Sequence, residues 1–184
     1  MITPAEFESV VREHQSMVFR SLASLVGSRE HVEDLAQEVF IRLYRGMQQF
    51  RGDSLLTTYL YRIILNVARD EWKRRRPEQF NTSLSEPDAH WDDRLASVER
   101  NPEQLFSGQQ LGTLLAASLA ELSEPERTTI VLFHQEECTY EQIAHLLNLP
   151  VGTVRTHLHR GRQKLKKLMQ NRMELCQKTF ATRN

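Results

Sequence analysis

The sequence predicts an all-α fold, with two small helical domains joined by a flexible linker. Apolar residues recur at helical spacing over most of the chain, and no stretch shows the alternation expected of a half-buried strand. Three Ser/Thr-x-x-Glu/Gln capping boxes stand before apolar segments, where they mark helix starts. Glycine and proline are scarce, at 7 and 6 of 184 residues, as expected where long helices must not be interrupted.

The first predicted domain covers residues 1–76 and contains three helices. Thr3 supplies an N-cap and Glu6 completes a capping box, so the first helix begins near the start of the sequence. Apolar residues at helical spacing over 35–43 predict a second helix. A third helix is predicted over 56–76, because its apolar residues step by four, three and four positions.

Residues 77–106 form a predicted linker with a different composition. The segment has three prolines, seven acidic residues and no sustained period, and a short helical turn is predicted only around 91–98. As a flexible coil it would span roughly 30 Å on average, enough for two domains to act on one extended partner. Residues 173–184 are treated as a C-terminal tail.

The second predicted domain covers residues 107–172. Its first helix is predicted over 109–121, and the capping boxes at Ser123 and Thr139 start the next two helices. A tight turn at Asn148–Pro150 leads into a longer basic helix. A short helix, a turn of three or four residues and a longer helix form the helix-turn-helix pattern.

The net charge is zero, but the charges are separated along the chain. Residues 51–76 have seven basic and three acidic residues, and 151–184 have nine and one. The two segments between them, 77–106 and 107–150, each carry an excess of five acidic residues. This asymmetry indicates contact with a polyanion at two separate places.

The last helix, "VGTVRTHLHRGRQKLKK", carries six Lys or Arg residues and no acid. Val154, Leu158 and Gly161 begin an apolar seam for docking, and polar residues occupy the other faces. The N-terminal part of a recognition helix reads base edges, and later lysines contact phosphate. A solvated basic surface is the alternative interpretation. The candidate DNA-binding residues are Thr153, Arg155, Thr156, His159, Arg160 and Lys164.

The third helix carries a second basic stripe. Arg62, Asn66, Arg69 and Lys73 step by four, three and four, and three further arginines follow, including Arg75. The interleaved aromatics are Phe50, Tyr59, Tyr61 and Trp72. Basic side chains beside aromatic rings suit melted or single-stranded nucleic acid. The aromatic residues could equally belong to the core, and for Trp72 the core interpretation is favoured.

Other classes of function lack support in the sequence. No catalytic motif, cofactor motif or small-molecule site is present, and His134, Cys138, His157 and His159 match no closed zinc pattern. No segment resembles a signal peptide or a bilayer-spanning run, and two isolated cysteines suit a reducing cytosol. We therefore expect a cytoplasmic protein that is not an enzyme.

The sequence also resembles a known family. "DLAQEVFIRLYR" (34–45) and "FRGDSLLTTYLYRIILNVARDEWKRRR" (50–76) resemble region 2 of bacterial sigma factors. "LSEPERTTIVLFHQEECTYEQIAHLLNLPVGTVRTHLHRGRQKLKKL" (122–168) resembles their region 4. The pairing of these two regions, with only a linker between them, is similar to the extracytoplasmic-function (ECF) group.

The resemblance implies a dissociable subunit that directs core RNA polymerase to promoter DNA. It implies that Asp34, Gln37, Glu38 and Ile41 bind the β′ clamp helices, although periodicity alone favours a solvated face there. The second domain would contact the β flap and read the −35 element. An anti-sigma factor is a further implied partner. The implied −10 residues are Phe50, Arg51, Asp53, Ser54, Arg62, Asn66, Arg69, Lys73 and Arg75.

Two alternatives remain open from the sequence. A stand-alone helix-turn-helix regulator would have no use for the 34–44 helix or for a second nucleic-acid surface. A small metal-dependent enzyme would need a set of ligands that the sequence lacks. The neutral total charge suggests a further hypothesis, that acidic segments weaken indiscriminate DNA binding until polymerase separates the two domains.

Overall fold

The computed structural model describes residues 3–27, 31–47, 55–75 and 108–181. These residues form seven helices without a strand, as the sequence predicts. None of the helices in these ranges is long and apolar enough to cross a membrane. The predicted linker 77–106, the "FRGDS" loop and the predicted cap Ser28 lie outside the described residues.

Helices α1 (Pro4–Val26), α2 (Val32–Met47) and α3 (Leu56–Arg75) form the first domain. At the start of α1, the backbone N–H of Thr3 donates to Glu6 Oε2 (2.7 Å), and the N–H of Glu6 donates to Thr3 Oγ1 (3.3 Å). The predicted capping box is therefore present. Each helix contributes fully buried residues to the core, among them Leu22, Val39 and Leu60.

Helices α4 (Gly108–Ala120), α5 (Glu124–Ile130), α6 (Tyr140–Leu147) and α7 (Val151–Ala181) form the second domain. Helix α5 continues into a π-helical turn, Val131–Gln135, which the sequence does not predict. At α6, the Thr139 N–H donates to Gln142 Oε1 (2.8 Å) and completes another predicted capping box with the reciprocal bond.

The helix-turn-helix consists of α6, a short turn and α7. Asn148 ends α6 in the left-handed conformation (φ 54°), which Asn tolerates better than most residues. Helix α7 then runs for 31 residues and passes through residue 172, where the sequence predicts a domain boundary. No proline or glycine follows Gly161 within α7, so nothing in the sequence stops the helix there.

The two domains pack directly against each other. One buried apolar cluster contains Val18 and Leu22 of α1 together with Val131 and Leu132 of the π-helical turn. Gly27 (φ 70°) ends α1, and a Cβ there would lie 2.8 Å from the Ala120 Cβ of α4. The sequence predicts two domains joined by a linker but gives no sign of this long-range contact between them.

Candidate nucleic-acid interfaces

The outer face of α2 places the predicted polymerase-binding residues together. Asp34, Gln37 and Ile41 are exposed, with 44% of the Ile41 surface accessible. Glu38 is partly buried, because Arg42 Nε donates to its Oε1 (2.6 Å). The structure thus presents acidic and amide side chains beside one exposed apolar side chain, Ile41.

Arg42 also connects this face to α3. Its Nη1 donates to Asp70 Oδ2 (3.1 Å), while its Nε holds Glu38. The only signal for Arg42 in the sequence is its position four residues after Glu38, where a helical ion pair is common. Arg42 therefore fixes the orientation of Glu38 relative to the third helix.

The basic stripe of α3 is present as predicted, but part of it faces the second domain. Arg62, Asn66 and Lys73 are exposed and Arg69 is partly buried. The Arg62 guanidinium lies 2.8 Å from His145 Nε2 of α6. Arg69 Nε donates to Glu124 Oε1 of α5 (3.0 Å). Two of the four stripe residues therefore have partners within the chain.

Arg75, at the end of α3, is paired within its own helix. Arg75 Nε donates to Glu71 Oε1 (2.6 Å), and Arg74 Nη2 lies 2.7 Å from Glu71 Oε2. Burial by itself would raise the pKa of Glu71, but the hydrogen bonds and charges of Arg74 and Arg75 lower it below its ordinary value. Glu71 thus stays ionised and neutralises part of the basic cluster.

The aromatic residues of α3 belong mainly to the core. Tyr59, Tyr61 and Trp72 are partly buried and pack against the main apolar cluster. The Arg127 guanidinium lies 5.3 Å from the centre of the Trp72 ring. The core interpretation of Trp72 therefore agrees with the packing. Phe50, Arg51, Asp53 and Ser54 lie outside the described residues.

Helix α7 is fixed on the second domain by its predicted apolar seam. Val154 and Leu158 are fully buried, and Gly161 lies directly against α5. A Cβ at Gly161 would lie 2.8 Å from Ile130 Cδ1 and 3.3 Å from the Glu126 carbonyl oxygen. Glycine thus permits this close approach of α7 to α5, whereas a larger residue would have to displace the end of the Ile130 side chain and crowd Glu126.

The opposite side of α7 carries the predicted −35 residues. Arg155, Arg160 and Lys164 are exposed, and Thr153, Thr156 and His159 are partly buried at the edge of this surface. The Arg155 guanidinium lies 5.3 Å from the centre of the Tyr140 ring, which supports its extended side chain. Helix α7 packs against α4, α5 and α6 of its own domain.

His157 lies on another side of α7 from His159. It is partly buried, and burial lowers its pKa, so the imidazole is held neutral at the domain surface. Within residues 3–27, 31–47, 55–75 and 108–181, no group of three or more potential ligands could hold a metal ion. Cys138 is buried, and burial together with the Glu136 charge raises its pKa to about 11.

A polar cluster that the sequence does not predict lies at the contact between the domains. The Glu136 side chain is 1% exposed and accepts hydrogen bonds from Ser21 Oγ (2.8 Å) and Tyr61 Oη (3.0 Å) of the first domain. Burial and the Glu136 charge raise the pKa of Tyr61, which remains protonated as a donor. No periodic pattern marks these residues, so the sequence carries no signal for them.

Comparison with known proteins identifies both halves of the chain. The Sigma-70 region 2 model matches residues 10–78, and the Sigma-70 region 4 model matches residues 113–165. The first match contains α2 and α3, and the second contains most of the helix-turn-helix domain. The fold and these two matches define a sigma-70-type factor with regions 2 and 4.

Proteins that are similar over nearly the whole chain show to which group of sigma factors it belongs. The RNA polymerase sigma-H factor of Pseudomonas aeruginosa is 30% identical over 89% of this chain and 86% of its own. The ECF RNA polymerase sigma-E factor of Escherichia coli is 33% identical over 85% and 83%. This chain belongs to the ECF RNA polymerase sigma factors, and its function lies in transcription initiation.

A solved structure has the same fold. The sigma factor RpoE of Bartonella quintana, crystallised with the anti-sigma factor NepR, aligns with a TM-score of 0.65 and 20% identity. The alignment covers 90% of this chain and 97% of that one. The match to region 2, which a stand-alone helix-turn-helix regulator would lack, decides against that alternative.

Proposed function

We propose that this sigma factor binds core RNA polymerase through α2, holds the melted −10 element on α3, and reads the −35 duplex with α7. The observation that carries the proposal is the occurrence of two separate basic helices and one exposed acidic face in a single chain. A regulator that acted on DNA alone would need only one of these three surfaces.

The α2 face is proposed to bind the β′ clamp helices. Asp34, Gln37 and Ile41 are exposed together, and Arg42 holds Glu38 at the edge of the same face. An apolar side chain surrounded by charged neighbours fits the common anatomy of an interface, in which a buried centre has a polar rim. The second domain is proposed to contact the β flap.

The α3 stripe is proposed to hold the melted −10 strand. Arg62, Asn66, Arg69 and Lys73 share one face, and their basic groups suit phosphate contacts. Arg75 extends this surface at the end of the helix. We propose that Phe50, Arg51, Asp53 and Ser54, in the preceding loop, supply the pocket for a base that leaves the stack.

The first half of α7 is proposed to read the −35 element in the major groove. Arg155 and Arg160 are exposed near the start of the helix, and Arg pairs well with the guanine edge. Thr153, Thr156 and His159 flank them, and Lys164 lies further along, where phosphate contact is expected.

The remaining features of the proposal concern organisation and partners. We propose residues 1–76 and 107–172 as the two functional domains, 77–106 as an acidic linker and 173–184 as a tail. The protein is proposed to be a non-enzymatic factor that acts in the cytoplasm, where core polymerase meets promoter DNA. An anti-sigma factor is proposed as its regulator, because the structurally similar RpoE was crystallised with one.

Run-off transcription with purified core polymerase and a matched promoter tests this function. We expect specific initiation only when the protein is added. Asp34→Ala combined with Glu38→Ala should weaken polymerase binding by about 2 kcal/mol, roughly thirtyfold, with the fold intact. Glu8→Ala with Glu13→Ala removes two exposed acids from α1 and serves as the matched control. Specific transcripts without the protein, or none with it, would refute the proposal.

A further inference from the structure

Two arginines of α7 lie against an aromatic pair of their own domain. The Phe133 and Tyr140 rings are stacked, with 5.1 Å between their centres. The Arg162 guanidinium lies 5.0 Å from the centre of the Phe133 ring, and the Arg155 guanidinium lies 5.3 Å from that of Tyr140. Both rings also pack against buried residues, Leu158 among them, so the core fixes their positions. The aromatic pair is therefore a rigid support for the two arginines.

A histidine completes the contacts of Arg162, which is partly buried. Arg162 Nε donates to His134 Nε2 (2.9 Å), so the imidazole uses this nitrogen as an acceptor. Partial burial and the Arg162 charge lower the pKa of His134, which keeps the ring neutral. Arg162 is thus held by an aromatic ring and by a neutral imidazole.

These contacts orient the arginines without cancelling their charge. In the described part of the chain, neither Arg155 nor Arg162 forms an ion pair with a carboxylate. Arg75 on α3, by contrast, is held by Glu71, whose charge opposes its own. An aromatic face attracts a cation but carries no net charge. The full positive charge of Arg155 and Arg162 therefore remains available to a polyanion.

Arg155 and Arg162 lie on nearly the same side of α7, because seven residues are close to two helical turns. Their separation along the axis is about 10.5 Å. Arg155 lies in the N-terminal part of the helix, which meets base edges, whereas Arg162 lies further along, where phosphate contacts are expected. An oriented guanidinium also loses less conformational entropy when a phosphate binds. The position of Arg162 therefore fits a DNA phosphate.

We propose that Phe133, His134 and Tyr140 form a neutral cradle that positions Arg155 and Arg162 for DNA, and that Arg162 contacts a phosphate beside the bases read by Arg155. The three cradle residues are positioning residues, since they act on DNA only through the two arginines. The proposal rests on the proposed role of α7 at the −35 element. It adds one DNA contact to that helix, together with the groups that hold it.

The first test asks whether Arg162 contacts phosphate. Holoenzymes with wild-type protein, Arg162→Ala or Arg172→Ala are bound to promoter duplexes with the preferred or a scrambled −35 element at several salt concentrations. We expect Arg162→Ala to weaken binding to both duplexes by the same factor and to reduce the slope of log affinity against log salt by about 0.9.

Arg172→Ala is the matched control for this test. It makes the same change in charge further along α7, where the arginine is paired with Glu121, and should leave the salt slope unchanged. Equal slopes for Arg162→Ala and Arg172→Ala refute the phosphate contact. A loss for Arg162→Ala on the preferred sequence only refutes it as well, because a phosphate contact carries no sequence information.

The second test asks whether the cradle acts through an arginine. Tyr140→Leu removes the ring beside Arg155, and the matched variant Tyr140→Phe removes only the hydroxyl. We expect Tyr140→Leu to reduce discrimination between the preferred and the scrambled −35 element about two- to fivefold, and Tyr140→Phe to retain it. In an Arg155→Ala background, Tyr140→Leu should reduce discrimination no further, because the group that it positions is absent. No loss in the wild-type background, or an equal loss in both backgrounds, refutes the cradle.

A third variant decides the question if Tyr140→Leu fails to fold, which circular dichroism detects. His134 is exposed, so His134→Ala leaves the core intact. It should weaken promoter affinity about two- to tenfold in the wild-type background and leave it unchanged in an Arg162→Ala background. Equal effects in the two backgrounds, including no effect in either, refute the cradle.

Run-off transcription separates failure of the cradle from failure of the proposed function. If specific initiation needs the wild-type protein and the preferred −35 element while the variant tests fail, the cradle alone is refuted. Absence of specific initiation with the wild-type protein refutes the proposed function, whatever the variants show. Equal affinity of the wild-type holoenzyme for the preferred and the scrambled −35 element refutes the −35 role of α7 and the cradle with it.

Discussion

Helices α3 and α7 carry similar basic sequences but present them differently. On α3, Arg62, Arg69 and Arg75 each contact a partner within the chain. On α7, Arg155 and Arg160 are exposed, and Arg155 lies against the Tyr140 ring of its own domain. A run of basic residues therefore shows where a polyanion could bind, and tertiary packing decides whether it is accessible in the free protein.

The largest effect is expected for Arg155→Ala on the accessible helix. Losing a base contact from an exposed reading residue should cost about 1–3 kcal/mol, roughly 5- to 150-fold, against the preferred −35 sequence only. Competition binding of holoenzyme to the preferred and a scrambled −35 element measures the change. Lys167→Ala is the control, since it removes one exposed charge further along α7 and should leave discrimination unchanged. Equal losses on both sequences would contradict base reading by Arg155.

A smaller difference between the two helices is expected in the salt dependence of DNA affinity. Lys166→Ala on α7 should reduce the slope of log affinity against log salt by about 0.9 for non-specific duplex DNA. Arg75→Ala should reduce it by less, because Glu71 already neutralises Arg75 in the folded protein. Titrations of polymerase-free protein between low and moderate salt give both slopes. A larger reduction of the slope for Arg75→Ala than for Lys166→Ala would contradict this prediction.

The smallest effect is expected for Glu71→Gln, on the free energy of unfolding at acid pH. The folded-state pKa of Glu71 is below its ordinary value of 4.5, so its contribution to stability is present above pH 4.5. That contribution is lost as the pH falls through the lower folded pKa. Glu71→Gln lacks it at every pH and should show a shallower decline of unfolding free energy below pH 4.5. Denaturant unfolding at several pH values measures this, and parallel declines would contradict the pairing.

Local features of the fold could be predicted from the sequence. Thr3 and Glu6, and likewise Thr139 and Gln142, lie three residues apart, so their capping bonds depend on local backbone geometry alone. The seam of α7 follows from helical spacing for the same reason. The π-helical turn at Val131–Gln135 could not be predicted, because the same apolar residues also fit an ordinary helix.

The contact between the domains could not be predicted. Ser21 and Glu136 are separated by 115 positions, and each is a single polar residue without a periodic neighbour. Glu136 resembles a solvated acid in the sequence, since an adjacent acid follows it and the next helix starts at Tyr140. Its burial depends on how α1 and α3 meet the second domain. The exposed α2 face, in contrast, follows from the family resemblance and from its spacing.

The seating of α7 through Gly161 has a consequence for how promoter preference could change. Buried residues that fix the helix, such as Val154 and Leu158, lie on a different side from the exposed Arg155 and Arg160, so the exposed side chains can be exchanged without moving the helix. A methyl group at 161 would meet the end of the Ile130 side chain and crowd Glu126, so it would require a local adjustment of the contact that orients those side chains. New promoter preferences are therefore accessible by single substitutions of the exposed residues, because the seating of α7 depends on other positions.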